Sequence, residues 1–293
     1  MKRSWAAGLF AGALLPAAMA IAQSAATPAP PGATGPAQPT TNAAPGNSAS
    51  EACERALLTD FDPNKGDLFG HDVSIWSVGK SAVMFRSGMT IDADGAPNAY
   101  NPQNTGLDDL SNAGGPGHWD GLAADRDGNP IIQGPDDPFP GFYISQTALV
   151  DWSKGRNDPM RYVDASKVPY IVLPGVLSRR FGIRLGDFAV VMNARRGIVA
   201  DAIFADIGTL GEGSIALAND LGIWSDAREG GTRGGVLYLI YAGSGDHQPH
   251  SADEIESETN KIFQQWGGME KLDTCAAGLP SPPHFQRAER NFH

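Results

Sequence analysis

Two acidic side chains, Asp206 and Glu212, carry the clearest chemistry in this sequence. Asp206 follows the apolar run 202–205, which predicts a buried strand, and Glu212 closes a glycine-rich turn ahead of a predicted helix. This arrangement is expected to bring both carboxyl groups to the mouth of one cleft. Glycoside hydrolysis requires such a pair, because one acid protonates the leaving oxygen while the other activates water or attacks the sugar.

The surroundings of the two acids predict different roles. Burial at the end of a strand raises the pKa of Asp206, whereas the dipole of the following helix favours the ionised form of Glu212. We therefore predict that Asp206 is the general acid and Glu212 the general base. The structural alternatives are a turn former at the strand end and a helix cap, which are common uses of these residue types.

A second pair of acids, Asp92 and Asp94, lies upstream in the segment 89–95. It admits three interpretations: a turn, a pair of calcium ligands, or anionic contacts to the protonated amines of a substrate. A complete EF-hand is excluded, because position twelve counted from Asp92 is Gln103 instead of Glu. The contacts to amines depend on the resemblance described below.

Aromatic residues offer a further substrate contact. Trp119 lies in the predicted loop 117–121, where its indole could stack on a sugar ring. The other tryptophans considered are assigned to packing, because aromatic side chains are more often buried than used in binding: Trp152, Trp224 and Trp266.

The elements that must position these residues are mainly strands. Apolar and β-branched runs bounded by turn residues predict strands at 73–78, 81–85, 130–133, 142–145, 169–173, 188–192 and 236–241. Helices are predicted at 213–221 and 252–266, and a capping-box spacing from Ser48 to Glu51 predicts a short helix over 52–58. The expected fold is a mainly β barrel or sandwich with two or three short helices and long loops.

Five segments together resemble one known family. They are MTIDADG at 89–95, VPYIVLP at 168–174, GDFAVV at 186–191, FAD at 204–206 and GEGSIALA at 211–218. In this order they resemble glycoside hydrolase family 75, the chitosanases best known from fungi, over about 83–241. The chain differs from fungal members at Ala93, where a Cys is usual, and in a shorter connection between the two acids.

The resemblance implies endo-hydrolysis of β-1,4-linked glucosamine polymers with inversion, by one Asp and one Glu that fall on Asp206 and Glu212. It also favours contacts from Asp92 and Asp94 to substrate amines. Inversion requires the carboxyl groups to stand roughly 6.5 to 9.5 Å apart, so that a water fits between base and sugar. The strand, glycine-rich turn and short helix around Glu212 also resemble double-psi β-barrels.

The N-terminal region predicts export. Lys2 and Arg3 precede an apolar stretch with an A-x-A site at 20–22, which is typical of a cleavable signal peptide over 1–22. A retained anchor is the alternative. The uncharged Ala-, Pro- and Thr-rich stretch 23–47 predicts a disordered linker, and 48–293 predicts one domain. The expected location is therefore periplasmic or extracellular.

Charge and cysteine content agree with that location. Removal of the signal leaves 20 basic and 33 acidic residues, a net charge of −13. Such a charge repels nucleic acid and anionic membranes and attracts cationic partners; the alternative is that it only keeps the protein soluble. The two cysteines of the chain, Cys53 and Cys275, can form a disulfide in an oxidising compartment, with free buried thiols as the alternative.

The sequence thus predicts a monomeric hydrolase of a cationic amino-sugar polymer that needs no metal or other cofactor. His247 and His250 are close in sequence, but they lie in a Pro-containing loop without a nearby Cys, which argues against a zinc site. The sequence also contains no phosphate-binding loop and no dinucleotide-binding fingerprint. Two alternatives stay open: an enzyme that cleaves de-N-acetylated peptidoglycan, and a non-catalytic barrel that binds wall polysaccharide.

Overall fold

The structure, a computed structural model, describes residues 53–61 and 73–279. These residues belong to one compact unit. The predicted signal peptide, the predicted linker and the first residue of the predicted 52–58 helix, Ala52, lie outside the described residues.

Ten strands and four α-helices form the described part of the chain. The strands are β1 (Arg55–Phe61), β2 (Val73–Val78), β3 (Ala82–Asp92), β4 (Gly114–Gly115), β5 (His118–Trp119), β6 (Tyr170–Leu173), β7 (Phe188–Asn193), β8 (Ile198–Ile207), β9 (Glu212–Ser214) and β10 (Thr232–Tyr241). The helices are α1 (Gly175–Phe181), α2 (Ile215–Asp220), α3 (Ala252–Trp266) and α4 (Gly268–Ala276). None of the helices in 53–61 and 73–279 is long and apolar enough to cross a membrane.

Six of the strands close a barrel, which confirms the predicted mainly β barrel. The sheet order is β1-β2-β3-β10-β7-β8-β6-β9, and an additional pairing of β3 with β9 closes the ring. Closure depends on the length of β3: its first half pairs with β2, and its last residues pair with β9. Two pairings are parallel, β3 with β9 and β6 with β8. The finer double-psi assignment stays a prediction.

Strand β10 shows how the sequence builds two cores. Its alternate residues Val236, Tyr238 and Ile240 belong to one buried cluster, whereas Leu237 and its alternate neighbours belong to another cluster that includes residues of α3 and α4. Because successive side chains of a strand point to opposite faces, an uninterrupted apolar run fits a strand that is covered on both sides. Helix α3, at the bounds predicted for it, begins with a capping box of Ser251 and Glu254.

A disulfide joins the two ends of the domain, as predicted. Cys53 and Cys275 are bonded, with their Cα atoms 5.2 Å apart and 222 residues between them in sequence. Both are fully buried in the cluster beneath α3 and α4. The bond therefore fixes α4 to the start of the folded domain.

Several local predictions were wrong. Residues 55–61 form β1 instead of a helix, because this segment pairs with β2 and tertiary pairing outweighs local helix signals. The segments 130–133 and 142–145 make isolated bridges instead of strands, and α1 and α4 were not predicted. Trp152 and Trp224 are 74% and 60% exposed, so neither is a core residue, whereas Trp266 does pack, against Phe263.

Candidate active site

The sheet register places Asp206 and Glu212 side by side on one face. Strand β6 runs between β8 and β9, and Val172 pairs with Asp206 on one side and with Glu212 on the other. Residues directly opposite one another point to the same face of a sheet. Neighbouring strands lie about 4.8 Å apart, so two strand spacings set the two acidic Cα atoms roughly 10 Å apart.

An irregularity in β8 aims Asp206 at this face. The pairing with β6 passes from Ile171 with Phe204 directly to Val172 with Asp206, which leaves Ala205 without a partner on β6. An extra residue of this kind turns the next side chain to the opposite face, a common device beside active sites. The Asp206 Oδ1 atom accepts hydrogen bonds of 2.8 Å from the backbone N–H groups of Ala148 and Ile207.

Glu212 is held by the glycine-rich turn that precedes it. Its Oε2 atom accepts a hydrogen bond of 2.8 Å from the Thr209 N–H. Gly208 permits this approach, since a Cβ atom there would lie 2.8 Å from that same Oε2 atom. The turn and β9 therefore fix the glutamate before the chain enters α2.

The expected effect of the helix dipole on Glu212 is not what the structure shows. Glu212 begins strand β9, and Ser214 caps α2 through a hydrogen bond to the Leu217 N–H. Burial, with a contribution from the negative charge of Asp92, raises the pKa of Glu212 to about 7. Burial, followed by the charge of Asp92, also raises the pKa of Asp206 well above its usual range, against the lowering effect of its two N–H donors.

Both acids line a cleft of about 470 Å³ that is rich in carboxyl groups. Its acidic lining residues are Asp92, Asp94, Asp108, Asp120, Asp206 and Glu212. Arg228 is the one cationic side chain among the described lining residues. One of its terminal nitrogens donates to the backbone carbonyls of Asn104, Gly106 and Asp108. This guanidinium is therefore hydrogen-bonded to the backbone beside the cleft.

Asp92 and Asp94 do lie in this cleft, as two of its lining residues. Asp92 ends β3, two residues after Thr90, which pairs with Glu212. Its Oδ1 atom accepts a hydrogen bond of 2.8 Å from the Asp94 N–H, so the segment also makes the expected turn. Burial raises the pKa of Asp92 to about 6. Burial first, and then the charges of Asp92 and Asp206, raise the pKa of Asp94.

Trp119 is not brought to the cleft lining that the structure describes. Its indole is partly buried and packs against the cluster that contains Tyr100 and Leu122, and its Nε1 atom has no hydrogen-bond partner. Its neighbour Asp120 does line the cleft. Stacking of a sugar on Trp119 therefore stays a prediction without support from this geometry.

Sequence reasoning missed Tyr100 and Asp108. Both are buried, and both lie in the long segment between β3 and β4. Neither belongs to an apolar pattern or a motif, so nothing in the sequence marks them. Only the folding of this segment over the open end of β3 brings them to the cleft.

No group of three or more His, Cys, Asp or Glu side chains within 53–61 and 73–279 is arranged to hold a metal ion. The chain matches no model of a known protein family and no curated protein.

Proposed function

We propose that the chain is an endo-acting, inverting glycoside hydrolase that cleaves β-1,4-linked glucosamine polymers outside the cytoplasm. One observation carries the proposal: Asp206 and Glu212 flank Val172 on one face of three adjacent strands, within the acidic cleft. The strand spacing of roughly 10 Å between their Cα atoms leaves room for a sugar ring and a water between the carboxyl groups.

The proposed reaction uses one acid on each side of the sugar. Protonated Asp206 donates its proton to the glycosidic oxygen as the bond from that oxygen to the anomeric carbon breaks. Glu212 accepts a proton from a water molecule, whose oxygen attacks the anomeric carbon from the opposite face. The product of a β-linked substrate is therefore an α anomer, and proton exchange with solvent restores both acids.

The protonation states that this reaction needs agree with the surroundings of the acids. Burial, followed by the negative charge of Asp92, favours the protonated form of Asp206. Glu212, with a pKa of about 7, is close to half ionised at that pH and can act as a base. The contacts of the two acids differ, since Asp206 accepts from two backbone N–H groups whereas Glu212 lies against the turn around Gly208.

The charge of the cleft supports an amino-sugar substrate. Six carboxyl groups line it, whereas its one described cation is engaged with backbone carbonyls. A protonated amine on each sugar would be attracted to such a surface, and Asp92 and Asp94, which line this cleft, are the proposed amine contacts. A neutral polysaccharide would gain nothing from this charge.

The direct test incubates the exported protein with chitosan and, separately, with peptidoglycan sacculi. We expect shorter glucosamine oligomers from chitosan. Asp206→Asn and Glu212→Gln should each lose at least about a hundredfold in kcat, the low end of what general acid–base catalysis contributes. Asp127→Asn and Glu258→Gln are matched controls on the exposed surface and should retain activity. Products from sacculi alone would move the substrate to the cell wall, and binding of chitosan without any product would indicate a non-catalytic barrel.

A further inference from the structure

A tyrosine hydroxyl stands between two carboxyl groups at the cleft. The Tyr100 hydroxyl oxygen lies 2.8 Å from Asp94 Oδ1 and 3.2 Å from Asp108 Oδ2. Both distances are within hydrogen-bonding range. Tyr100 and Asp108 are 2% and 3% exposed, so water does not substitute for either contact, whereas Asp94 is only half-buried and faces the cleft.

The number of hydrogens in this group decides its charge. A phenol carries one hydrogen, so it can donate to only one of the two carboxyl oxygens. The other contact needs a hydrogen from the carboxyl group itself. Asp108 Oδ1 already accepts from the Asp109 N–H and the Asn112 side-chain amide, which leaves Oδ2 as the oxygen that faces Tyr100. Three groups therefore share two hydrogens, and the two carboxyl groups together carry one negative charge.

We propose that Asp94 and Asp108 share one proton through Tyr100, and that this relay matches the charge of Asp94 to the occupant of the cleft. When the proton is on Asp108, its hydroxyl donates to Tyr100, Tyr100 donates to Asp94, and Asp94 is ionised. When it is on Asp94, both hydrogen bonds reverse. Two hydrogens shift together, so the phenol never becomes charged and no proton is exchanged with solvent.

The groups around the pair give the shift a direction. Asp92 and Asp206 face Asp94, and their negative charges favour a proton on it while the cleft is empty. Burial raises the pKa of Asp108 as well, but hydrogen bonds from Asn112 and the Asp109 N–H, and then the guanidinium of Arg228, favour its ionised form. Asp92 and Glu212 also face Asp108. A substrate ammonium at Asp94 would reverse the preference, since it stabilises a carboxylate beside it and sends the proton to Asp108.

This inference rests on the proposed function for the identity of the occupant, but the shared proton can be tested without activity. The exported protein, labelled with ¹³C at the aspartate carboxyl carbons, is examined by NMR at pH 7 without substrate. Asp94→Asn and Asp108→Asn identify the two signals. We expect protonated fractions that sum to one proton over the pair, mainly on Asp94. Two fully ionised carboxyl groups would overturn the proposal.

The relay is then tested with glucosamine at pH 6, where its amine is protonated, and with the neutral N-acetylglucosamine as control. Glucosamine should move the protonated fraction from Asp94 to Asp108 and leave the sum unchanged. In Tyr100→Phe, glucosamine should lower the protonated fraction of Asp94 without raising that of Asp108, because no hydroxyl then joins the two carboxyl groups by hydrogen bonds. Tyr162→Phe removes a different partly buried phenol, whose hydroxyl donates to the Arg156 carbonyl, and should behave as wild type. If glucosamine raised the protonated fraction of Asp108 in Tyr100→Phe as much as in wild type, the relay would be overturned, whereas a failure to hydrolyse chitosan would count only against the proposed function.

Discussion

Replacement of Glu212 by Gln should stabilise the folded protein at alkaline pH while it removes activity. The glutamate is held in a cleft that disfavours its ionised form, and its pKa rises from the ordinary 4.5 to about 7. Protonated Glu212 therefore contributes stability that is fully present below about pH 4.5 and is lost as the pH rises through about 7. Glutamine is neutral at every pH and avoids this loss, while its amide oxygen can still accept from the Thr209 N–H.

The size of the effect follows from the pKa difference. Each pKa unit corresponds to about 1.4 kcal/mol. A rise of the pKa from 4.5 to about 7 therefore predicts that Glu212→Gln gains roughly 3 kcal/mol in free energy of unfolding over wild type at pH 8, and almost nothing at pH 4. Solvent on the open side of the cleft makes this an upper value. Such a gain in stability is expected, because an active site that holds like charges close together lowers the stability of the folded protein.

Urea unfolding, followed by tryptophan fluorescence at pH 4 and pH 8, measures the difference in free energy of unfolding. Glu258→Gln is the matched control, because Glu258 lies on the exposed surface of α3, where its carboxyl group contacts Lys261. We expect this control to change the free energy of unfolding by less than about 1 kcal/mol at either pH. Equal stability of wild type and Glu212→Gln at pH 8 would refute the argument that Glu212 is held against its ionised form.

The remaining predictions concern the disulfide, the contacts to substrate amines and the glycine-rich turn before Glu212. Double replacement of Cys53 and Cys275 by Ala, which opens a loop with a sequence separation of 222 residues, should lower the free energy of unfolding by up to about 4 to 5 kcal/mol but retain activity, as measured by urea unfolding and chitosan hydrolysis. Asp92→Asn should raise KM on fully deacetylated polymer more than on partly acetylated polymer, and an equal rise on both would leave Asp92 as a turn residue. Gly208→Ala should lower kcat by at least about tenfold with little change in KM, because its Cβ would displace the Glu212 carboxyl group from its place; wild-type kcat in this variant would contradict that placement.

Much of the site could be predicted because its residues lie in short local motifs. Asp206 at the end of an apolar strand and Glu212 after a glycine-rich turn are both visible in sequence, and both line the cleft. The disulfide was predictable from two cysteines near the ends of one domain. The irregularity at Ala205 was not, since it depends on how β8 pairs with β6 and leaves no local signal.

The residues that the sequence did not reveal depend on long-range folding. Tyr100 and Asp108 reach the cleft only because the segment after β3 folds back over it. Strand β1 forms because β2 is available as a partner, in spite of a local pattern that favours a helix. The environment of Glu212 was also misjudged, because pairing of β9 with β3 and β6 keeps this residue outside the helix.

The central claim is that Asp206 and Glu212 act on opposite sides of the sugar as acid and base. Proton NMR of a β-linked glucosamine oligomer, recorded in the first minutes after addition of wild-type protein, measures the anomer that is released before mutarotation. The account predicts the α anomer, and no such product with Asp206→Asn or Glu212→Gln under the same conditions. Release of the β anomer would contradict inversion, and full activity in either variant would contradict the role of that residue.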